Sequence, residues 1–148
     1  MARYSVSVMI RRPPREVFAF MDDVDRERDW QPHLREAWQE PPGPSRVGTR
    51  KSYRSHFLGK TLENTYVVKE LDAGRRMVQR TTADSALDAR VEIRWEEVPG
   101  GTRVTLDTTA KPRGLLRFMA SSLLESSARS ELESSLNRLR RRLESGEG

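Results

Sequence analysis

Acid–base chemistry in this sequence would depend on very few side chains. The 148-residue chain has two histidines, His33 and His56, and no cysteine. His56 lies in a predicted strand and is a candidate catalytic proton shuttle, because histidine titrates near neutral pH; a surface histidine is the alternative. His33 directly follows Pro32 and is predicted to lie in a loop. Two separate histidines without cysteine predict no metal site.

Other ionisable side chains are also possible proton donors or acceptors. Besides the tyrosine hydroxyls, four charged side chains could face inward, although parity does not settle their faces: Glu63, Arg80, Asp84 and Asp107. The sequence contains no carboxylate pair, nucleophile elbow, phosphate-binding glycine loop or metal-ligand spacing. It therefore disfavours hydrolases, nucleotide enzymes and metalloenzymes. We expect no cofactor, and the sequence leaves open whether the protein is an enzyme.

Aromatic side chains are candidates for holding a flat, apolar ligand, because they bury a large area and can stack on it. We predict ligand contacts at Trp30, Trp38, Tyr53, Phe57, Tyr66, Trp95, Phe118 and Ser127. For each aromatic residue, plain core packing is the alternative. Trp30, at the end of a short helix, is the residue that we favour most for ligand contact.

The first forty residues predict a strand, two short helices and a further short strand. Tyr4 to Ile10 alternates between apolar and other residues, which is typical of a half-buried strand. Pro13-Pro14 suits the start of a helix, and Asp25 could cap a second short helix that runs towards Trp30. A short strand at Glu36–Gln39 follows.

A run of strands with short turns follows Gly48. We place them at Thr49–Leu58, Thr61–Leu71, Arg76–Thr82, Leu87–Val98 and Thr102–Ala110. Turns this short indicate antiparallel neighbours. Leu87–Val98 has one apolar and one charged face. Thr49–Leu58 has no clean apolar face, so it is either a solvated edge strand or a strand that sends polar groups inward.

The segment from Leu115 to Leu143 contains neither proline nor glycine and predicts one long helix. Its apolar stripe consists of Phe118, Ala128, Leu132, Leu136, Leu139 and Leu143. Several small serines indicate that parts of the helix stand off from the sheet. Its first turns are apolar on several sides. This pattern indicates either a pocket lid that a ligand or a partner subunit covers, or a helix start with loops packed on both sides. Residues 145–148 are expected to be a frayed tail.

The charge and hydropathy patterns limit the partners. The net charge is +5, but 27 basic residues are interleaved with 22 acidic ones, which favours a salt-bridged surface over a nucleic-acid site. No stretch approaches the roughly 18 apolar residues of a membrane span. The first residues lack the pattern of a signal peptide, so we expect a cytoplasmic protein.

These elements predict an α+β fold in a single domain over residues 1–148. One helix cannot cover both faces of so large a sheet. We therefore expect a curved antiparallel sheet of about seven strands, wrapped around the long C-terminal helix, with two short helices after the first strand.

Several motifs together resemble a known family. The segment from Val8 to Asp23, followed by Asp29-Trp30-Gln31-Pro32, resembles the opening of the polyketide cyclase/dehydrase group of the START-like (SRPBCC, birch-pollen-allergen-like) superfamily. Val47–Thr49, Leu71–Met77 and Gly100–Thr105 match in the same order. The resemblance implies a helix-grip fold with a hollow that binds lipids, polyketides, steroids or aromatic metabolites. It carries over no catalytic residue.

Three functions remain open at this point. The first is binding or transport of a small lipophilic or aromatic molecule in an internal cavity. The second is a cyclase-, dehydratase- or isomerase-like enzyme that uses acid–base groups in the same cavity. The third is a protein-interaction module, such as a homodimer, that uses the apolar start of the long helix.

Overall fold

The computed structural model describes residues 1–145, so residues 146–148 of the predicted frayed tail lie outside the described residues. Seven antiparallel strands form one sheet: β1 (Ala2–Ile10), β2 (Leu34–Glu40), β3 (Arg50–Phe57), β4 (Lys60–Asp72), β5 (Arg76–Thr81), β6 (Leu87–Val98) and β7 (Gly101–Pro112). Their order across the sheet is β1-β7-β6-β5-β4-β3-β2. The helices are α1 (Pro14–Asp22), α2 (Glu27–Trp30) and α3 (Ser121–Glu144). The predicted α+β fold, a curved sheet with a long C-terminal helix, is confirmed.

The strand pairing explains how the alternating pattern becomes a core. β6 pairs with β7 over their whole length, from Leu87↔Pro112 to Val98↔Gly101. The apolar face of β6 packs inward, with Trp95 buried. The charged face of β6 points outward, where Glu92 pairs with the arginines at positions 76, 90 and 94. One dry and one solvated face are what the alternation predicts.

The two short helices begin where the sequence indicates. Proline occupies the start of α1, where a missing backbone N–H costs nothing. A single 3₁₀ turn at Val24–Arg26 separates α1 from α2. Asp23 caps this turn by accepting a hydrogen bond from the Asp25 backbone nitrogen at 3.0 Å, so the prediction that Asp25 is the cap is wrong.

The long helix begins six residues later than predicted. Gly114–Phe118 forms a separate 3₁₀ helix, and α3 starts at Ser121. The extended backbone of Met119 and Ala120 lies between them. This change of direction allows Leu116 and Leu124 to be buried in the same apolar cluster. No helix within residues 1–145 has the length and hydropathy needed to cross a membrane.

The second half of α3 holds the helix against the sheet and α2. Leu136 and Leu139 are completely buried in the main core, together with strand residues such as Val104. Two arginines in the second half of α3 connect this helix to α2. Arg138 Nε donates a hydrogen bond to the Asp29 carbonyl at 2.8 Å, and Arg142 lies 3.5 Å from the Asp29 carboxylate.

Replacing Leu139 by alanine should lower the free energy of unfolding by about 2–5 kcal/mol, because it opens a cavity in a completely buried site. Urea denaturation measures the change. Leu123→Ala is the control on the same helix, since Leu123 is 50% exposed, and its cost should stay within about 0.5 kcal/mol. Equal costs for the two variants would contradict this packing.

Candidate functional site

An internal cavity of about 230 Å³ lies between the inner face of the sheet and the helices. All seven strands contribute side chains to the wall, and the contribution of β2 is its first residue, Leu34. Helices α1 and α2 close one side, and the middle of α3 closes another. The cavity is a half-enclosed space bounded by all seven strands and the three α-helices.

The cavity exists because α3 is packed tightly at its ends and loosely in the middle. Leu124 is buried near its start, and the completely buried leucines lie near its end. Between them, α3 presents Ala128, Glu131, Leu132 and Ser135 to the cavity. These side chains are short, polar or only partly buried, so they do not fill the space above the sheet.

Five of the eight predicted ligand contacts lie in the cavity wall: Trp30, Tyr53, Phe57, Tyr66 and Trp95. Trp95 is fixed by an edge-to-face contact with Phe18, with ring centroids 4.9 Å apart. The Trp95 indole N–H also donates to the Met21 sulfur at 3.3 Å. That these five residues contact a ligand stays a prediction.

The other predicted residues lie outside the wall, and each is a correction. Trp38 is 46% exposed because its strand, β2, is the edge of the sheet. Phe118 is 75% exposed, since its 3₁₀ helix turns it away from the core. Ser127 lies on α3 beside the cavity-facing Ala128 but does not line the space. His56 is exposed on the outer face of β3, so it is not positioned to act on a molecule in the cavity.

The four charged side chains considered for an inward role also face outward. Glu63 pairs with Arg54, and Asp107 pairs with Arg94. Arg80 and Asp84 are exposed. Of the two alternatives that the sequence left open for β3, the structure matches the one in which polar groups enter the cavity. The face that does so carries Lys51, Tyr53, Ser55 and Phe57.

A buried charged cluster forms the end of the cavity next to α1 and α2. The Lys51 ammonium is 2.9 Å from the Asp22 carboxylate and 3.9 Å from that of Glu27. The Tyr53 hydroxyl donates to Glu27 Oε1 at 2.8 Å, and the Gln31 amide donates to Glu27 Oε2 at 2.7 Å. Lys51, Asp22 and Glu27 are each at least 92% buried, so their mutual contacts replace water.

The two carboxyl groups of this cluster titrate differently. Burial raises the pKa of Glu27 from 4.5 to about 7, although Lys51, Tyr53 and Gln31 all oppose the rise. Burial acts in the same direction on Asp22, but the Lys51 charge and the hydrogen bonds from Ser45 and Lys51 hold the pKa of Asp22 below its usual value. At neutral pH, Glu27 is therefore present in both its protonated and its ionised form, while Asp22 stays ionised.

All three tyrosines of the chain line the cavity. Tyr53 and Tyr66 meet edge to face, with ring centroids 5.8 Å apart. Burial raises the pKa of Tyr4, Tyr53 and Tyr66, so their hydroxyls stay protonated. Tyr4, in turn, is close enough to Glu131 of α3 for that charge to contribute to its pKa. The tyrosines thus span the space between Glu27 and Glu131.

Residues 1–144 match the family described as polyketide cyclase/dehydrase and lipid transport. The chain belongs to this family. A Thermus thermophilus protein has the same fold, with 16% identity, 99% of both chains covered and a TM-score of 0.83. A START superfamily protein from Mycobacterium smegmatis has 13% identity, 98% and 99% coverage and a TM-score of 0.80. The Aha1 dimer from Colwellia psychrerythraea has 14% identity, full coverage of both chains and a TM-score of 0.72.

None of the curated proteins matches the chain in sequence. Membership in the polyketide cyclase/dehydrase and lipid transport family therefore rests on the family model, which matches residues 1–144. Within residues 1–145, no three His, Asp or Glu side chains lie close enough to hold a metal ion.

Sequence reasoning missed most of the charged residues of the cavity in this family member. It gave no role in the cavity to Asp22, Glu27, Gln79 or Glu131. A usable signal was present for Glu27, which lies three residues before Trp30 and therefore on the same helix face. Glu131 likewise lies three residues after Ala128, a residue of the predicted apolar stripe.

Removing the Tyr53 hydroxyl should raise the pKa of Glu27 above its value of about 7, because the hydroxyl stabilises the ionised carboxylate. Carboxyl-carbon NMR titration of Tyr53→Phe measures this. Tyr66→Phe is the control, since the Tyr66 hydroxyl makes no hydrogen bond to Glu27. A pKa that falls or stays constant in Tyr53→Phe would contradict the described contact.

The raised pKa of Glu27 also makes the free energy of unfolding depend on pH. Glu27 binds its proton more tightly in the folded chain than in the unfolded one. Its contribution to the free energy of unfolding is therefore complete below about pH 4.5 and is lost as the pH rises through about 7.

Proposed function

We propose that the protein binds and carries a small lipophilic or aromatic molecule in this cavity. The observation that carries the proposal is the space of about 230 Å³ between α3 and the sheet, which is bounded by buried aromatic and aliphatic side chains. Membership in a family described by lipid transport supports the same reading. Ligand sites in proteins are typically mostly apolar with a few placed polar groups, as here.

The volume of the cavity limits the size of the molecule that it can bind. Its volume is just below the roughly 300–1,000 Å³ of typical ligand pockets. A guest of one or two rings suits this space better than a sterol or a long acyl chain.

The polar end of the cavity would orient the guest. Lys51, Tyr53 and Glu27 lie together at one end, whereas Trp95, Leu106 and other apolar groups form other parts of the wall. A neutral molecule with one hydroxyl group on an apolar body would bind in a single orientation, with that hydroxyl towards Glu27. Buried polar groups contribute more to specificity than to affinity.

A second candidate function is a cyclase- or dehydratase-like reaction. The observation that favours it is Glu27, a carboxyl group in the cavity wall with a pKa of about 7 and a hydrogen bond to a tyrosine. A general acid or base works best when its pKa is near the operating pH. A carrier releases its guest unchanged, whereas this candidate requires the guest to be recovered with an altered structure.

A third candidate is a homodimer formed through the start of the C-terminal helical region. Among the side chains that the structure describes in this region, Phe118 and Leu123 are large, apolar and exposed. A solved relative of this fold is described as a dimer. Leu116 and Leu124 are buried, which leaves this surface smaller than the sequence predicted.

Binding of 2-naphthol, a two-ring molecule with one hydroxyl, tests the carrier proposal. We expect saturable 1:1 binding, followed by tryptophan fluorescence, because Trp30 and Trp95 line the cavity. Val91→Trp should weaken binding by about tenfold or more, since the larger side chain occupies the space, at a stability cost of about 1–3 kcal/mol.

Val67→Trp is the matched control. Val67 lies on the outer face of β4, opposite Arg50 of β3, so the same enlargement leaves the cavity free. Binding that survives Val91→Trp, or that is lost equally in both variants, would argue against a guest in this cavity.

A further inference from the structure

We propose that the cavity is selective for a lipophilic cation, meaning a small apolar or aromatic molecule that carries an ammonium group beside Glu131. This inference rests on the proposed function and narrows it to one class of guest. It depends on the charge balance of the wall, on its aromatic rings, and on polar groups that have no partner in the chain.

The cavity wall carries more acidic than basic side chains. Its acids are Asp22, Glu27 and Glu131, and the one lysine or arginine in the described wall is Lys51. His33 also lines the cavity, but burial lowers its pKa and favours the neutral form. Lys51 is already engaged with Asp22 and Glu27. A negative charge in a half-enclosed space favours a guest of opposite charge.

Glu131 is the carboxylate that lacks a counter-charge. It projects from the middle of α3 into the cavity and is half-buried. Within residues 1–145, no ion pair or hydrogen bond to its side chain is formed. Burial raises its pKa, which reflects the cost of keeping this charge without a partner. An ammonium group of a guest would supply that partner and remove the cost.

The aromatic side chains of the cavity wall also favour a positively charged ligand. The rings of Tyr4, Tyr53 and Tyr66 line the cavity between the two glutamates, and Trp30 and Trp95 add two indole rings. The face of an aromatic ring attracts a cation, and groups of such rings are the usual sites for quaternary ammonium ligands. A carboxylate guest would instead meet both the ring faces and the acidic side chains.

The side-chain amide of Gln79, on the sheet opposite α3, favours a ligand that has a polar atom. Gln79 of β5 is 92% buried and lines the cavity. Its side-chain amide has no hydrogen-bond partner in the described part of the chain. Its register partner on β6, Val91, also lines the cavity, so Gln79 is on the inner face of the sheet. Its amide atoms are not among the fully buried polar atoms without a partner in the described chain, which are Trp30 Nε1 and Ser135 Oγ, so they face the space that a guest or water would occupy.

Three probes with a phenyl ring separate charge from shape. Benzyltrimethylammonium carries a permanent positive charge, and neopentylbenzene is its isostere with carbon in place of nitrogen. The third probe, 3-phenylpropanoate, is an anion. Titration calorimetry on the full chain gives the three dissociation constants. We expect the ammonium probe to bind about tenfold or more tighter than its carbon isostere and the anion to bind weakest.

Glu131→Gln tests the residue that carries the inference. It should weaken binding of the ammonium probe by about fivefold or more and leave binding of neopentylbenzene within twofold. Glu133→Gln is the control, because it makes the same charge change on an exposed part of the same helix. Intact binding of the neutral probe shows that the Glu131→Gln variant is folded.

The outcomes separate this inference from the proposed function. Equal or tighter binding of neopentylbenzene, or an unchanged ammonium affinity in Glu131→Gln, overturns the cation selectivity and leaves the carrier proposal standing. Failure of all three probes and of 2-naphthol to bind overturns both.

Discussion

The cavity depends on how α3 is attached to the sheet. Leu124 anchors the start of the helix, and Leu136, Leu139 and Leu143 anchor its second half. The intervening turns present Ala128, Glu131, Leu132 and Ser135 to the cavity and leave space between the helix and the sheet. A helix that packed along its whole length would leave no room for a guest. The leucines therefore supply the stability, and the gap between them supplies the candidate function.

The charged cluster at the end of the cavity is difficult to explain by stability alone. A buried ion pair often contributes little net stability compared with well-packed apolar residues. Lys51 nevertheless connects β3 to α1 and α2 through Asp22 and Glu27. It fixes the position of the two short helices that close one side of the cavity, and it keeps that end polar. The same residues thus serve the architecture and set the chemistry that a guest would meet.

The sequence predicted the architecture better than the site. Leu87–Val98 was located with the correct bounds, because strict alternation is a local signal. The start of α3 was misplaced, since extended residues at Met119 and Ala120 interrupt a composition that favours helix. Trp38 was assigned to the cavity by residue type, but its position depends on which strand forms the edge of the sheet. The sequence left His56 open between a cavity role and a surface position, because only tertiary structure decides which face of β3 turns inward. Glu131 was missed because a glutamate on a helix is usually solvated, and only tertiary packing encloses it.

Diffraction from crystals soaked in bromobenzene tests the central claim most directly. The bromine gives an anomalous signal, so a bound molecule can be located without prior assumptions. We expect one peak between α3 and the inner face of the sheet, near Trp95, Leu106 and Leu132, with the helix in place. An interior filled by the protein's own side chains, with no peak in that region, would contradict the account.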